Sequence, residues 1–278
     1  MASNLSGSVG NASWTVDDIP FDTIDRSLIY DNSELFYLLA CASFIEITSD
    51  LYTRNLIDYY HGNPEIEHWL ENYWEREEVQ HGAALKRYVE TVWPDFDWDR
   101  AYEGFVEEYS TTCLMENLAA NRALEMVARC VVETGTASFY RTLSEASPEP
   151  VLKQITSNIS SDEVRHYKHF YRYFLDYRDS DRPSRFAILR QLWQRGADVK
   201  SEDAYIAFKH VFLERNKGET FTTEAYDRFR ASFRRIGRTA FPYEMAVKMI
   251  LKPLALSAPI GRFVQPAVET TARIIFSI

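Results

Sequence analysis

The chain has 278 residues, 46% of them apolar and 14% aromatic, with a formal net charge of −10. Such a chain buries one large core, or a core with an appended piece, and no repeat with a period of about 20 to 50 residues is visible, which excludes a solenoid. Its three cysteines, Cys41, Cys113 and Cys130, are widely spaced and form no C-x-x-C pair, which excludes a disulfide framework, a zinc ribbon and a rubredoxin-like site and points to a reducing cytoplasm.

In chain order, residues 1–31 read as a loose N-terminal arm. The opening "MASNLSGSVGNASWTVDDIP" is polar and rich in small residues, without the charged start and apolar run of a secretion signal or a membrane span. Beyond it nothing alternates with a period of two, so no sheet is expected and helix signals dominate. A first helix runs from Asn32 or Ser33 to Tyr60 and closes at His61-Gly62. A second opens with Asn63 as its cap and Pro64 in its first turn, and stops at Pro94. The amphipathic stretch "DWDRAYEGFVEEY" follows. A long helix then spans Met115 to Leu143, and another starts at Ser147-Pro148 and reaches Tyr177. Past the turn-rich "RDSDRP", residues 184–216 and 221–250 read as helical, with Gly237 and Pro242 as weak points. The apolar end of the chain is broken by Pro253, Pro259 and Pro266 and is too interrupted to span a membrane.

Charge is unevenly spread. Residues 1–181 hold 14 Lys and Arg against 32 Asp and Glu, whereas residues 182–278 hold 17 against 9. The basic part includes "RFRASFRRIGR", with Arg228, Arg230, Arg234, Arg235 and Arg238. Such a face meets an acidic protein partner or is simply solvated and paired with the acidic portion; no nucleic-acid partner is expected.

Two strings inside the helices stand out, "WEREEVQHGAAL" and "ISSDEVRHYKHF". Each places acid-acid-x-x-His among residues that belong in a core. Glu46 lies 16 residues before Gly62 and Glu78 lies 16 after it, while Glu133 lies 15 before Pro148 and Glu163 lies 15 after it. At a rise of about 1.5 Å per residue each hairpin goes down as far as it comes back, so the four acids share one depth. His81 and His166, three residues after Glu78 and Glu163, share the faces of those glutamates. One Glu from each of two helices plus Glu-x-x-His from each of the other two is the ligand pattern of ferritin-like di-iron and di-manganese bundles. Four buried carboxylates without cations would repel one another, and two metal ions remove that objection. Oxygen-rich ligation with one imidazole per metal suits iron or manganese better than zinc.

The expected fold is therefore all-α: a ferritin-like four-helix bundle over 32–181, with additional C-terminal helices at 182–278 packed on it, covering a substrate channel or forming a homodimer interface. Beside the metal ligands Glu46, Glu78, His81, Glu133, Glu163 and His166, Glu77 and Asp162 are placed to accept the outer ring N–H of a histidine on the opposite helix. Surface ion pairs to Arg76 or Arg165 are the competing reading. Thr136 shares the face of Glu133, where its hydroxyl delivers a proton or bonds the carbonyl one turn back. Trp14 carries electrons towards the site or anchors the arm by packing.

The pattern Trp69, Trp74, Glu77, Glu78, His81, Gly82, Leu85, Tyr88 resembles the second-helix motif of the soluble acyl-carrier-protein desaturases. "ISSDEVRHYKHFY" is similar to that family's fourth-helix D-E-x-R-H and "ETGT" to its E-x-x-T. The resemblance spans residues 35–180; Gln80 stands where the family carries Arg, and residues 182–278 do not resemble its C-terminal part. It implies a di-iron enzyme that activates dioxygen, takes two electrons from a ferredoxin-type donor, and oxidises an aliphatic chain held on an acyl carrier protein or CoA, most often by desaturation. Hydroxylation, N-oxygenation and aldehyde deformylation remain open on the same ligand set, as does a non-catalytic ferritin-like iron-binding role.

Overall fold

The computed structural model describes residues 13–112, 118–119, 121–198 and 202–277, and among them every regular element is a helix. Helix starts follow the side chains that cap them. Asn32 accepts from the Leu35 N–H at 3.1 Å and opens α1 (Ser33–Ile47). Asn63, with Pro64 behind it, opens α3 (Pro64–Trp69), and Asp97 opens α5 (Trp98–Tyr109). These side-chain oxygens satisfy N–H groups that a helix start leaves without partners.

The structure departs from the sequence expectations in several places. The first long helix is two, α1 and α2 (Ser49–Tyr59), broken at Thr48. The Thr48 hydroxyl bonds back to the Phe44 carbonyl at 2.7 Å and meets the Tyr102 hydroxyl at 3.1 Å, and back-bonding of this kind bends helices. The second is interrupted by a π-helical turn at Leu70–Trp74 before continuing as α4 (Glu75–Val92). Helix α6 (Arg122–Ala146) starts where Asn121 caps Leu124, not at Met115, which lies outside the described residues. Helix α7 (Pro150–Asp181) starts two residues later than expected, because Glu149 accepts from both Val151 and Leu152 N–H groups. It ends at Arg182 in the left-handed region, φ 46°.

The C-terminal third forms α8 (Arg185–Asp198), α9 (Glu202–Arg215), α10 (Thr223–Ala240), α11 (Tyr243–Leu251) and α12 (Ala258–Ser277). The break after α10 falls at Pro242, and Gly237 stays helical. Pro266 lies inside α12 and does not end it. The arm is not loose from residue 13 on. Trp14, Ile19, Phe21 and Ile29 are buried in or beside short 3-10 turns, two of which pack on α4. Cys41 and Cys130 are free and buried, and Cys113 lies outside the described residues.

Helices α6 and α7 form a tight hairpin through Ser147–Glu149, α1 packs along α4, and α4 meets α7. Two apolar clusters result, and the acids fall at or near their boundary. Along α1 and α2 the boundary lies between Phe44 and Leu56, from the π turn into α4 between Trp74 and Ala84, along α6 between Ala137 and Tyr140, and along α7 between Ile159 and Tyr167. Those intervals contain Glu46, Glu78 with His81, and Glu163 with His166, while Glu133 lies on α6 between Val131 and Ala137 of one cluster, near its edge. The later helices extend the same clusters: α9 and α10 add Phe208, Val211 and Tyr226 to one, and α8 and α11 add Ile188, Leu192 and Met249 to the other. The stretch Ser33–Tyr59 is long and apolar enough to cross a membrane, but 61% of its apolar window is buried inside the protein, and it carries Glu46 into the interior.

Candidate metal centre

Six side chains from four helices meet at or near the boundary of the clusters. Glu46, Glu78, His81 and Glu163 offer ligand atoms within 4.8 Å of one another, and so do Glu78, Glu133, Glu163 and His166. All six residues are buried, and the two groups share Glu78 and Glu163. His81 Nδ1 lies 3.3 Å from Glu163 and 3.8 Å from Glu46. His166 Nδ1 lies 3.0 Å from Glu78 and 3.5 Å from Glu133.

The outer ring nitrogens cross between helices. His81 Nε2, on α4, is 3.1 Å from Asp162 on α7, and His166 Nε2, on α7, is 2.7 Å from Glu77 on α4. An ionised carboxylate only accepts, so each Nε2 carries the proton and each Nδ1 is turned inward. Arg165 ties the two outer acids together, 2.9 Å from Glu77 and 2.8 Å from Asp162. The histidine contact and the ion pair thus coexist on the same carboxylates, while Arg76 turns to Asn72.

Burial opposes ionisation of Asp162 and Glu77, but the hydrogen bonds and charges of the histidines, with Arg165, hold both carboxyls below their usual range.

Thr136 donates to Glu163 Oε2 at 2.6 Å, and its contacts to the Val132 and Glu133 carbonyls are longer, 3.2 and 3.3 Å. A hydroxyl has one proton, and the short contact to a carboxylate takes it. Trp14 donates its indole N–H to Asp162 at 2.8 Å, and its ring lies parallel to that of His81 with centroids 6.1 Å apart. Sequence reasoning did not single out Tyr140, whose hydroxyl donates to Glu46. A buried Tyr two helical turns after Glu133 reads as ordinary core, and nothing local distinguishes it. The π turn is equally silent in sequence. Its i→i+5 geometry adds a residue to the turn, and Trp69 and Trp74, five apart, both meet the His166 ring in T-shaped contacts with centroids 6.3 and 6.5 Å away.

Gly82, beside His81, has a packing reason. A Cβ there would sit 2.4 Å from Ile47 Cγ1 and 2.5 Å from the Ile47 backbone nitrogen. Only glycine lets α4 approach α1 this closely, one residue from Glu46.

The buried charge of the centre is balanced either by protons or by bound cations. Burial, then the charges of Glu163 and Glu46, push Glu78 well above the carboxylate range, and burial with Glu163 pushes Glu133 up to about 8. Burial opposes the ionised form of Glu163, yet the close His81 imidazole and the charge of His166 bring it down to about 2. Burial also opposes charge on both imidazoles, and the surrounding carboxylates outweigh it and raise them well above the histidine range. Five inward atoms, Glu78 Oε1, His81 Nδ1, Glu133 Oε2, Glu163 Oε1 and His166 Nδ1, are buried without a hydrogen-bond partner. Orphaned ligand-type atoms in two groups that share two carboxylates fit a pair of metal ions.

A pH dependence follows. Glu78, Glu133, His81 and His166 all have raised values in the metal-free fold, so the stability they contribute is present at low pH and lost as pH rises through those values, about 8 for Glu133. Metal must displace the same protons. The rise in melting temperature on adding metal is therefore expected to grow as pH increases from 6 to 8.5 in differential scanning fluorimetry; an increment that shrinks over that range contradicts this electrostatic account.

A scan against protein-family models matches none of them, and a search of curated proteins finds no match either.

Proposed function

We propose that this chain is a ferritin-like di-iron oxidase acting with dioxygen on an aliphatic acyl thioester, with desaturation as its outcome. The observation that supports this reading most directly is the sharing of Glu78 and Glu163 by two buried carboxylate–histidine groups. Glu46, His81 and the shared pair would hold one iron, and Glu133, His166 and the shared pair the other. Bound iron supplies the reduction of dioxygen and the oxidising power towards an unactivated C–H bond.

The chain's own residues hold and insulate the centre. Thr136 fixes one oxygen of Glu163, and Tyr140 fixes one oxygen of Glu46, so that each carboxylate turns its other oxygen towards His81. Asp162 and Glu77 hold the imidazoles with Nδ1 inward, and Arg165 offsets the charge of both acids. Trp69, Trp74 and Phe170 pack beside His166 and keep water from that side. The indole of Trp14, bonded to Asp162, gives an aromatic route from the surface arm towards His81.

Exposed Arg228 and Arg234 on α10 offer a cationic face for an acidic acyl carrier or a ferredoxin-type donor, while Arg235 on the same helix pairs with Glu34. Reversing Arg234 to Glu is expected to raise the apparent KM for that protein partner several-fold without changing bound metal, in steady-state assays; an unchanged KM removes α10 from partner binding.

The reaction is tested by mass spectrometry of a panel of acyl thioesters after incubation with Fe(II)-loaded protein, reductant and dioxygen. Loss of two hydrogens is the expected product. Gain of one oxygen or shortening by one carbon assigns hydroxylation or deformylation instead, and unchanged substrates throughout overturn the oxidase reading.

A further inference from the structure

Among the described residues, every large apolar side chain that is half or more exposed belongs to α8 or α12: Phe186 (76%), Leu189 (52%), Trp193 (78%), Ile260 (50%), Phe263 (82%) and Ile274 (55%). Their spacing is helical, i, i+3, i+7 on α8 and i, i+3, i+14 on α12, so each set forms one stripe. The opposite side of α8 is accounted for, because Ile188 and Leu192 are buried against the α6 cluster. A hydrogen bond from Arg185 to the Ala255 carbonyl, at 3.3 Å, sets the start of α8 beside the segment leading into α12.

Arginines neighbour these stripes. The described side chains of α8 include Arg185, Arg190 and Arg195 and no carboxylate, and Arg262 adjoins Phe263 on α12. None of these four arginines forms an ion pair among the described residues, although the chain as a whole carries a net charge of −10. Exposed aromatic and aliphatic side chains with unpaired arginines beside them are the features of a helix that lies in a bilayer interface.

We propose that the α8–α12 face docks on an anionic lipid bilayer, with Trp193, Phe186 and Phe263 entering the interface and Arg190 and Arg262 meeting lipid phosphates. A second copy of the chain is a poorer occupant. A two-fold interface repeats the same patch on both sides, which sets exposed arginines against their own copies, with no carboxylate among the described side chains of α8 to separate them. The proposal goes beyond the metal centre and does not depend on it.

Trp193 makes the test direct, since Trp14, Trp69, Trp74, Trp93 and Trp98 are all buried. The full chain is mixed with vesicles of phosphatidylglycerol and phosphatidylcholine, and with vesicles of phosphatidylcholine alone. The expected result is co-sedimentation with the anionic vesicles only, weakened by salt, with a blue shift of tryptophan emission and quenching by brominated lipid. Trp193→Phe should still sediment but lose the emission change. Arg190→Gln with Arg262→Gln should weaken partitioning about thirtyfold, each arginine near the surface being worth about fivefold, with circular dichroism confirming an unchanged fold. No sedimentation with anionic vesicles, equal binding to both vesicle types, or a lipid-free dimer that shields Trp193 from acrylamide would each overturn the proposal.

Discussion

Replacing Glu78 by glutamine is expected to strip metal from both halves of the centre while leaving the metal-free protein as stable as before, or more so. Glu78 belongs to both ligand groups, and one of its oxygens is buried without a partner 3.0 Å from His166 Nδ1. Burial and the charges of Glu163 and Glu46 disfavour its ionised form. Glutamine keeps the volume and removes the charge, so the repulsion disappears together with the ligand. Losing an outer hydrogen-bond partner of a metal site costs about 10–100-fold in affinity, so losing a shared ligand should cost at least about 100-fold. Competition with a chromophoric chelator measures the first effect and a thermal melt in EDTA the second. Tight binding retained by the variant, or a clear fall in the metal-free melting temperature, contradicts the assignment.

Gly82→Ala should damage fold and centre together. The added Cβ meets the Ile47 backbone nitrogen at 2.5 Å, and backbone cannot rotate away as a side-chain tip can. Overpacking of this kind costs about 1–3 kcal/mol. Moving α1 off α4 also carries Glu46 away from His81, so the half of the centre built on those two residues should lose metal first. Gly135→Ala is the matched control. It lies in α6 two residues from Glu133, with nothing within 4 Å of its added Cβ, and should stabilise by about 0.5–1 kcal/mol because glycine disfavours helix interiors. Thermal melts and metal counts on the pair decide the matter, and equal behaviour of the two variants would show that the close approach at Gly82 does not matter.

The helices, the common depth of Glu46, Glu78, Glu133 and Glu163, and the crossing of Glu77 and Asp162 to opposite histidines could be read from residue spacing, because helical rise and period are local and regular. The features that escaped depend on contacts distant in sequence. The break at Thr48 is fixed partly by Tyr102, the burial of Trp14 by Asp162, and the role of Tyr140 by Glu46. The π turn at Leu70–Trp74 has no residue signal of its own. Glu149 displaced the start of α7 past Pro148, since its side chain caps two N–H groups at once. The outward stripes of α8 and α12 were hidden because an apolar helix position looks the same in sequence whether it faces a core or open solvent.

The central claim, that these six side chains hold two metal ions, is tested most directly by an anomalous difference map recorded at the iron edge from a crystal grown with Fe(II). The account predicts two peaks about 3.5–4 Å apart, bridged by Glu78 and Glu163, with His81 beside one and His166 beside the other. A single peak, a peak on other residues, or no peak despite full occupancy of Fe(II) in the crystallisation medium would contradict it.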